Sequence, residues 1–315
     1  MQIFDSDATR QALPFERLIP ALREMFANGC EVPPRHVHQL AAPGGGGFTS
    51  LIMPAWVTGR YYGVKTINIA PGNAALGLPG LHATYLLFDA NTGVPWALMD
   101  GDQITTRRTA AASALAASWL ARPDAQHLLV VGAGRVARLL PEAYQAVRPI
   151  KRVTVWARSA AAAQALAQAW RGQGINATAT QDLEAAVRAA CIVSCATLAT
   201  TPIIQGRWLQ AGSHLDLIGS FTPAMREADD DCFKAAALYA DTDEALQKSG
   251  ELLGPMSRGV FGQADLRGTL ATLARGEATG RLTSTERTVF KSVGNALEDL
   301  AAGIEVFESA PSPPP

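Results

Sequence analysis

The fold of this chain is organised around the stretch His127-Leu128-Leu129-Val130-Val131-Gly132-Ala133-Gly134-Arg135-Val136-Ala137. A short apolar run enters two glycines separated by one residue, and a helix-compatible segment follows. This order predicts a strand, a tight turn and a helix whose free N–H groups can hold the pyrophosphate of a dinucleotide. Gly-x-Gly-x-x-Ala alone also occurs in ordinary strand-to-helix turns. The prediction of dinucleotide binding therefore depends on the strand and helix patterns that flank it.

Strand and helix patterns alternate from this stretch onward. Helix-compatible segments such as Ala160–Arg171 separate the first strands, and alternation of this kind predicts a doubly wound parallel sheet. The predicted strands are His127–Val131, Arg152–Trp156, Asn176–Thr180, Ile192–Cys195, Leu215–Ile218 and Ala237–Ala240.

The first hundred residues predict a helix packed on a largely antiparallel sheet. One strand is expected to end at Pro54, and Gly44–Gly47 is expected to form a flexible turn. A capping-box pattern at Thr283-Ser284-Thr285-Glu286 predicts a long last helix through Phe307 that returns to this region, followed by a frayed tail at Ala310–Pro315. The predicted strands are Arg35–Leu40, Phe48–Met53, Tyr61–Asn68, His82–Asp89 and Val94–Met99.

The composition excludes several classes of partner. The chain has 315 residues, 48% of them hydrophobic, and a formal net charge of -1, which gives no reason to expect nucleic acid or a membrane surface as partner. Its apolar runs are too short to cross a bilayer, and no secretory signal is apparent. The four cysteines form no Cys-x-x-Cys pair, so we expect reduced thiols in a cytoplasmic protein.

The residues after the second predicted Rossmann strand favour NADPH. In an NAD-specific fold this strand ends in Asp or Glu, which binds the ribose hydroxyls. Here Ala157, Arg158 and Ser159 follow Trp156, and no acid is present. An arginine and a hydroxyl can instead hold a 2′-phosphate. NADH stays open as a cofactor, and Arg158 could also serve only to stack on the adenine.

Several short motifs together resemble those of the ornithine cyclodeaminase/μ-crystallin family over nearly the whole chain. The family fold is a Rossmann domain inserted into an α/β domain that dimerises. The resemblance therefore implies a homodimer with a substrate-binding and dimerisation domain at 1–121 and 285–315, and a dinucleotide-binding domain at 122–284. The matching residues are Pro34-Arg35, Met53-Pro54, Gly63-Val64-Lys65, Leu86-Leu87-Phe88-Asp89, Gly93, Met99-Asp100-Gly101, Arg108-Thr109-Ala110-Ala111, Gly132-Ala133-Gly134, Thr288-Val289-Phe290-Lys291-Ser292-Val293-Gly294 and Leu297-Glu298-Asp299-Leu300.

The resemblance also implies the site residues. Arg35 and Arg108 match cations that hold the substrate carboxylate, a role that suits the arginine fork. Lys65, which the strand pattern places on a core face, matches a lysine that bonds the carboxylate or the reacting nitrogen and could relay a proton. Expected dinucleotide contacts, from the turn, the second strand and the resemblance, are Thr109, Gly132, Ala133, Gly134, Arg135, Val136, Ala157, Arg158, Ser159, Ala196, Thr197, Ser220 and Val293.

One departure from the family pattern concerns the substrate. Cyclodeaminases carry an aspartate in the loop after the fifth strand, where it handles the substrate's amino group. Phe221 stands at that position, and Leu51 and Ile52 occupy the neighbourhood of a second family carboxylate. A phenylalanine offers an apolar wall to a neutral ring. The loop resembles that of the branch that reduces Δ1-pyrroline-2-carboxylate and Δ1-piperideine-2-carboxylate.

The reaction implied is hydride transfer from NADPH to the imine carbon of such a ring, which gives L-proline or L-pipecolate. Lys65 or an ordered water is the candidate proton donor. The alternatives are an ornithine cyclodeaminase or alanine dehydrogenase and, in another class, a non-catalytic NADPH-dependent binding protein of crystallin type. No metal is expected, because His36 and His38 share a strand face without an evident third ligand.

Overall fold

The structure is a computed structural model that describes residues 1–42 and 46–309. The turn predicted at Gly44–Gly47 lies partly outside these residues, and the tail predicted at Ala310–Pro315 lies wholly outside them. Contacts divide the chain into two compact units, one formed by Met1–Arg108 with Asn295–Pro315 and the other by Thr109–Gly294. Within the described residues, every helix is too short or too polar to cross a membrane.

The elements are numbered in chain order. The strands are β1 (Gln2–Phe4), β2 (His36–Ala41), β3 (Gly47–Val57), β4 (Tyr61–Ile69), β5 (Leu81–Asp89), β6 (Pro95–Asp100), β7 (His127–Val131), β8 (Arg152–Trp156), β9 (Ala177–Ala179), β10 (Ile192–Cys195), β11 (His214–Leu217), β12 (Ala237–Ala240), β13 (Leu266–Thr269) and β14 (Thr288–Lys291). The α-helices are α1 (Ser6–Ala12), α2 (Phe15–Asn28), α3 (Gly101–Leu120), α4 (Leu140–Gln145), α5 (Ala160–Gly172), α6 (Leu183–Ala189), α7 (Ala245–Lys248), α8 (Gly250–Ser257), α9 (Leu270–Ala274) and α10 (Ala296–Ser309).

The first unit is built on a six-stranded sheet with the order β1-β6-β5-β4-β3-β2. All its pairs are antiparallel except β1 with β6, so the predicted largely antiparallel sheet is confirmed. Helix α10 packs on β3, β4 and β5 and also contacts α2. The sheet face that it covers carries a row of direct cross-strand partners, Met53, Lys65, Tyr85 and Met99, all of them buried.

Strand β3 does not end at Pro54, as the sequence predicted, but continues to Val57. The reason lies in the hydrogen-bonding direction of the strand. The N–H of Trp56 points towards Glu31, and Pro54, two residues earlier, would point the same way. Pairing with β2 has already stopped at Ile52, so the missing N–H of the proline breaks no bond of the ladder.

The second unit is an eight-stranded sheet with the order β13-β12-β14-β11-β10-β7-β8-β9. Every pair is parallel, which confirms the predicted doubly wound sheet. The central strands β7, β10 and β11 are buried along their whole length, as expected for a sheet covered on both faces.

The prediction of a long last helix from Thr283 to Phe307 is wrong for the first part of this range. Residues Thr288–Lys291 form strand β14, which pairs with β11 and β12, and the helix begins only at Ala296. The capping pattern instead closes a turn, in which the Glu286 N–H donates to Thr283 Oγ1 at 3.1 Å. Gly294, with φ 71, separates strand from helix. The compact units accordingly divide at 108/109 and 294/295, whereas the sequence placed the boundaries at 121/122 and 284/285.

Candidate active site

Lys65 is the most deeply buried cation of the first unit. It lies in β4 between Gly63 and Ile67 on the face covered by α10, and none of its surface is exposed. A buried ammonium requires a partner because its desolvation is costly. Asp299 of α10 is that partner, and its Oδ1 accepts from Lys65 Nζ at 2.6 Å.

Arg108 shares the same carboxylate. Its Nε donates to Asp299 Oδ1 at 2.9 Å, and its Nη1 donates to Glu298 Oε2 at 2.7 Å. Lys65, Arg108, Glu298 and Asp299 thus form a buried cluster of two cations and two anions, which we call the ion cluster. The cluster fixes both cations in one orientation while leaving their charges balanced.

The environment of Lys65 makes it a usable acid near neutral pH. Burial lowers its pKa to about 8, and the positive charge of Arg108 acts in the same direction, whereas Asp299 and Glu298 oppose the shift. A general acid works best when its pKa lies near the working pH. Lys65 therefore combines a fixed position with a proton that it can release.

Tyr85 lies beside the ion cluster as the direct cross-strand partner of Lys65. Its hydroxyl and Asp299 Oδ2 are both buried without a hydrogen-bond partner among the described residues. Burial raises the pKa of Tyr85 well above its usual range, and the negative charge of Asp299 adds to the effect. The ring is confined because a Cβ on Gly303 would overlap it and a Cβ on Gly63 would lie 2.7 Å from its Cζ.

The ion cluster contains two of the three cations expected from the sequence. Arg35, the third, is half-buried immediately before β2, and its role stays a prediction. In the sequence, Glu298 and Asp299 stand out only as part of a family motif, and the motif predicts no role for them. Two adjacent acids within the apolar run of the last helix are a signal that could have identified them, since acids on a buried helix face need partners.

Apart from Thr109, which lies in α3, the expected dinucleotide contacts of the second unit follow strands at one edge of its sheet. Five adjacent strands, β14, β11, β10, β7 and β8, run parallel, and the carboxyl end of each is followed by expected contact residues. Ligands of doubly wound sheets bind at this edge. The residues concerned are Val293 after β14, Ser220 after β11, Ala196 and Thr197 after β10, Gly132 to Val136 after β7, and Ala157 to Ser159 after β8.

The glycine turn fits the phosphates of a dinucleotide. Gly132 has φ 120, and a Cβ there would lie 2.6 Å from the carbonyl oxygen of Ala196, so this position requires glycine. Gly134 is exposed with open space where a Cβ would stand, and Arg135 beside it is also exposed. An open glycine next to an exposed cation is a suitable approach for a phosphate.

The helix predicted directly after this turn begins late. A 3₁₀ turn at Ala137–Leu139 precedes α4, whose first turn contains Pro141. Because proline lacks the N–H that would bond the carbonyl of Ala137, a continuous α-helix cannot run from the turn through this point. After β8, Arg158 and Ser159 are exposed, and Ser159 caps α5 by accepting from the Ala162 N–H at 3.3 Å.

Phe221, the residue expected to contact the substrate, follows β11 and is 47% exposed. Its neighbour Ser220 is completely buried and has φ 59, a left-handed conformation that is uncommon for a residue other than glycine. Three buried charges near this loop, Glu227, Glu251 and Lys291, have no role predicted from the sequence, where Lys291 stands out only as part of a family motif.

The fold and these two groups of residues are those of a two-unit oxidoreductase built on a Rossmann-type sheet. The family model for the ornithine cyclodeaminase/mu-crystallin family matches residues 15–313, and the chain belongs to this family. The resemblance seen in the sequence is thereby confirmed, as are the α/β fold and the enzyme class, an NAD(P)H-dependent oxidoreductase acting on C=N bonds.

The chain is similar to several named proteins of known or assigned activity. A Delta(1)-pyrroline-2-carboxylate reductase from Paracoccus denitrificans is 46% identical over 254 residues, covering 80% of each chain. The solved structure of the Thermococcus litoralis Delta(1)-pyrroline-2-carboxylate reductase in complex with NADH and L-proline matches with a TM-score of 0.91, 30% identity and coverage of 98% of this chain and 97% of that one. An archaeal alanine dehydrogenase dimer with bound NAD matches with a TM-score of 0.88 and 29% identity, covering 98% of this chain and 95% of that one.

Proposed function

We propose that this protein reduces cyclic ketimine carboxylates, converting Δ1-pyrroline-2-carboxylate to L-proline and Δ1-piperideine-2-carboxylate to L-pipecolate. The observation that carries the proposal is the ion cluster, in which one Asp299 oxygen holds Lys65 and Arg108 together. Fixed cations suit a substrate carboxylate, and a lysine of lowered pKa suits an imine nitrogen that must gain a proton. The Paracoccus relative at 46% identity supports the same substrate class.

The proposal gives each site residue a role. Arg35 and Arg108 bind the substrate carboxylate, and Phe221 supplies an apolar wall for the ring. Lys65 holds a proton for the ring nitrogen, so that the acceptor is the iminium rather than the neutral imine. The bound dinucleotide supplies the hydride for the imine carbon. Positioning of this kind can lower a barrier by several kcal/mol, at most ~7–11 kcal/mol.

We further assign the two compact units different tasks. The six-stranded unit would bind the substrate carboxylate through the ion cluster, and the eight-stranded unit would bind the dinucleotide at the carboxyl edge of its sheet. The exposed Arg158 and Ser159 support NADPH as the preferred cofactor, while the NADH and NAD complexes of the two solved relatives keep NADH open. Four free cysteines support the proposed cytoplasmic location.

Cofactor preference is tested at Arg158. The ratio of kcat/KM with NADPH to that with NADH should exceed one in the wild type and fall by about tenfold in Arg158→Ala, because a charge-assisted contact to the 2′-phosphate is lost. The rate with NADH should change little in the same variant. An equal loss with both dinucleotides would mean that Arg158 only stacks on the adenine.

A homodimer is the proposed assembly, and the six-stranded sheet offers a surface for it. On the face opposite α10, Trp56, Tyr62 and Phe88 form a half-buried aromatic row, with ring centroids 6.2 Å and 5.4 Å apart. The archaeal relative is described as a dimer. Sedimentation should give twice the 33.2 kDa of one chain, and Tyr62→Glu should shift the protein to the monomer. A wild-type monomer would contradict this assembly.

The function is tested by following NADPH oxidation with each cyclic imine, with ornithine plus NAD and pyruvate plus ammonia plus NADH in parallel. Imine-dependent oxidation is expected, and the ratio of the two rates gives the ring preference. Lys65→Ala and Arg108→Ala should lose turnover while still binding NADPH. If neither imine causes NADPH oxidation and ornithine releases ammonia, the protein is a cyclodeaminase and the proposal is wrong.

Alanine dehydrogenase is the second candidate, because the archaeal dimer matches nearly the whole chain with a TM-score of 0.88. The pyruvate and ammonia arm of the assay decides between the two activities. NADH oxidation with pyruvate and ammonia but with neither ring would favour this candidate. Tight binding of NADPH without turnover in any arm would favour a binding protein.

A further inference from the structure

Ser220 adopts a backbone conformation that its own chemistry disfavours. With φ 59 it is left-handed, and Ala235 is the other non-glycine residue of this kind in the described part of the chain. The left-handed region is disfavoured for an L-residue, so such a residue persists only where its surroundings hold it. Ser220 immediately precedes Phe221, which makes the source of this support relevant to substrate recognition.

Glu251 supplies the support. Its Oε2 accepts from Ser220 Oγ at 2.6 Å, and the carbonyl of Ser220 accepts from Ser249 Oγ at 2.7 Å. Glu251 is itself completely buried and fixed, since its carboxylate also accepts from the N–H groups of Glu227 at 2.6 Å and Ala228 at 2.9 Å. The serine is therefore bound on both its side chain and its backbone.

The residue before Ser220 is held just as closely. The carbonyl of Gly219 accepts from Lys291 Nζ, which also donates to the carbonyl of Leu217 at 2.8 Å. A Cβ on Gly219 would lie 2.5 Å from Glu227 Cδ. Glu227 in turn accepts from both the N–H and the Oγ1 of Thr197 at 2.7 Å, so the loops after β10 and β11 share one buried polar support.

Phe221 is much more exposed than the serine that precedes it. Its side chain is 47% exposed, whereas the serine before it is completely buried. The backbone conformation at Ser220 determines where the chain places the Cα of Phe221. The other end of the loop is closed by the carbonyl of Thr222, which accepts from the N–H of Gly250 at 3.0 Å, directly beside Glu251.

We propose that Glu251 is a positioning residue for substrate specificity: it holds Ser220 in the left-handed turn from which Phe221 meets the ring of a cyclic imine. The inference rests on the proposed function, in which Phe221 contacts the substrate. Glu251 acts through Ser220 and touches neither substrate nor cofactor in this assignment.

A pair of substitutions at one position separates this role from a general structural one. Ser220→Ala and Ser220→Gly both remove the hydroxyl, but only glycine adopts the left-handed conformation at little cost. Relative to wild type, KM for the cyclic imine should rise about fivefold to tenfold in Ser220→Ala and in Glu251→Gln, and by clearly less in Ser220→Gly. The effect of Glu251→Gln should shrink when it is introduced into Ser220→Gly.

Glu244→Gln is the matched control, because Glu244 pairs with Lys248 at the surface at 2.9 Å and is expected to leave KM unchanged. Hydrogen exchange of residues 218–226 in the 315-residue chain gives a readout that needs no turnover. Exchange should accelerate in Ser220→Ala and Glu251→Gln and stay near the wild-type rate in Ser220→Gly.

The outcomes distinguish the inference from the function on which it rests. If the wild type reduces neither imine, the proposed function fails, and with it the specificity role of Glu251, whatever the exchange data show about the loop. If turnover is present, equal KM and exchange effects in Ser220→Ala and Ser220→Gly would overturn the inference. Altered exchange without any change in KM would also overturn it, because Phe221 would then not depend on the turn for substrate contact.

Discussion

Asp299→Asn tests the ion cluster most directly. Asp299 Oδ1 accepts from Lys65 Nζ at 2.6 Å and from Arg108 Nε at 2.9 Å, and both Lys65 and Asp299 are completely buried. Asparagine keeps the shape and an acceptor oxygen but removes the charge. A hydrogen bond to a charged group contributes about 1.5–3 kcal/mol, which corresponds to a factor of roughly ten to a hundred in the protonation equilibrium of Lys65.

The direction of the effect follows from the pKa of Lys65, which is about 8. At pH 7 roughly nine tenths of the lysine carries its proton, and in the variant this fraction should fall to between about a half and a tenth. If Lys65 provides the proton for the imine, kcat at pH 7 falls in proportion, and the alkaline limb of the kcat profile moves towards lower pH. The assay is imine-dependent NADPH oxidation between pH 6 and 9.

Two neighbouring groups keep the same charge throughout this pH range. Burial raises the pKa of Tyr85 well above its usual value, and burial together with Glu31 raises that of Cys30 to about 12, so both stay neutral. Glu298→Gln is the matched comparison, because it removes the same charge from the adjacent position, where the carboxylate accepts from Arg108 Nη1 at 2.7 Å. Its alkaline limb should move less than that of Asp299→Asn.

Two outcomes would refute this reasoning. An alkaline limb that stays in place in Asp299→Asn would show that Lys65 is not the proton donor, which leaves an ordered water in that role. Equal shifts in Asp299→Asn and Glu298→Gln would show that only the net charge of the ion cluster matters and not the bond to Lys65.

Two further predictions concern stability. Gly63→Ala should lower the free energy of unfolding by about 1–3 kcal/mol, because its Cβ would overlap the Tyr85 hydroxyl. Adding Tyr85→Phe should recover part of this loss, as measured by thermal unfolding. If the double variant recovers no stability, the hydroxyl is not the obstacle. Burial raises the pKa of Asp216 from 3.8 to about 6 despite hydroxyl donors from Ser113, Tyr144 and Ser194. Its stabilising contribution is present below pH 3.8 and lost as the pH rises through 6. The difference in the free energy of unfolding between wild type and Asp216→Asn, measured in urea, should therefore be about 1.4 kcal/mol larger at pH 5 than at pH 8. A difference that does not depend on pH would contradict the raised pKa.

The sequence by itself determined the two sheet types and the dinucleotide turn. Apolar runs alternating with helical patterns predicted the parallel sheet, and period-two patterns predicted the antiparallel one, because burial on two faces or on one leaves different local periodicities. The glycine turn was equally local, since a strand, Gly132 and Gly134 lie within a few consecutive residues.

Short elements were not determined locally. The four residues of β14 are too few to show a hydrophobic period that distinguishes a strand from one turn of a helix. They form a strand because they lie between β11 and β12 and pair with both. The proline in β3 is tolerated for a similar reason, since it depends on where the neighbouring strand stops pairing. Pairing across the sheet decides such segments, and local pattern does not contain that information.

Only the tertiary structure decided the chemistry of the ion cluster. Lys65 and Arg108 were recognised as cations of a site, but their shared partner Asp299 lies 234 and 191 residues away along the chain. The pKa of the lysine and the orientation of the arginine follow from that contact and from burial. Periodicity shows which face of an element is buried, whereas the pairing of charges within a core is fixed only when distant segments pack together.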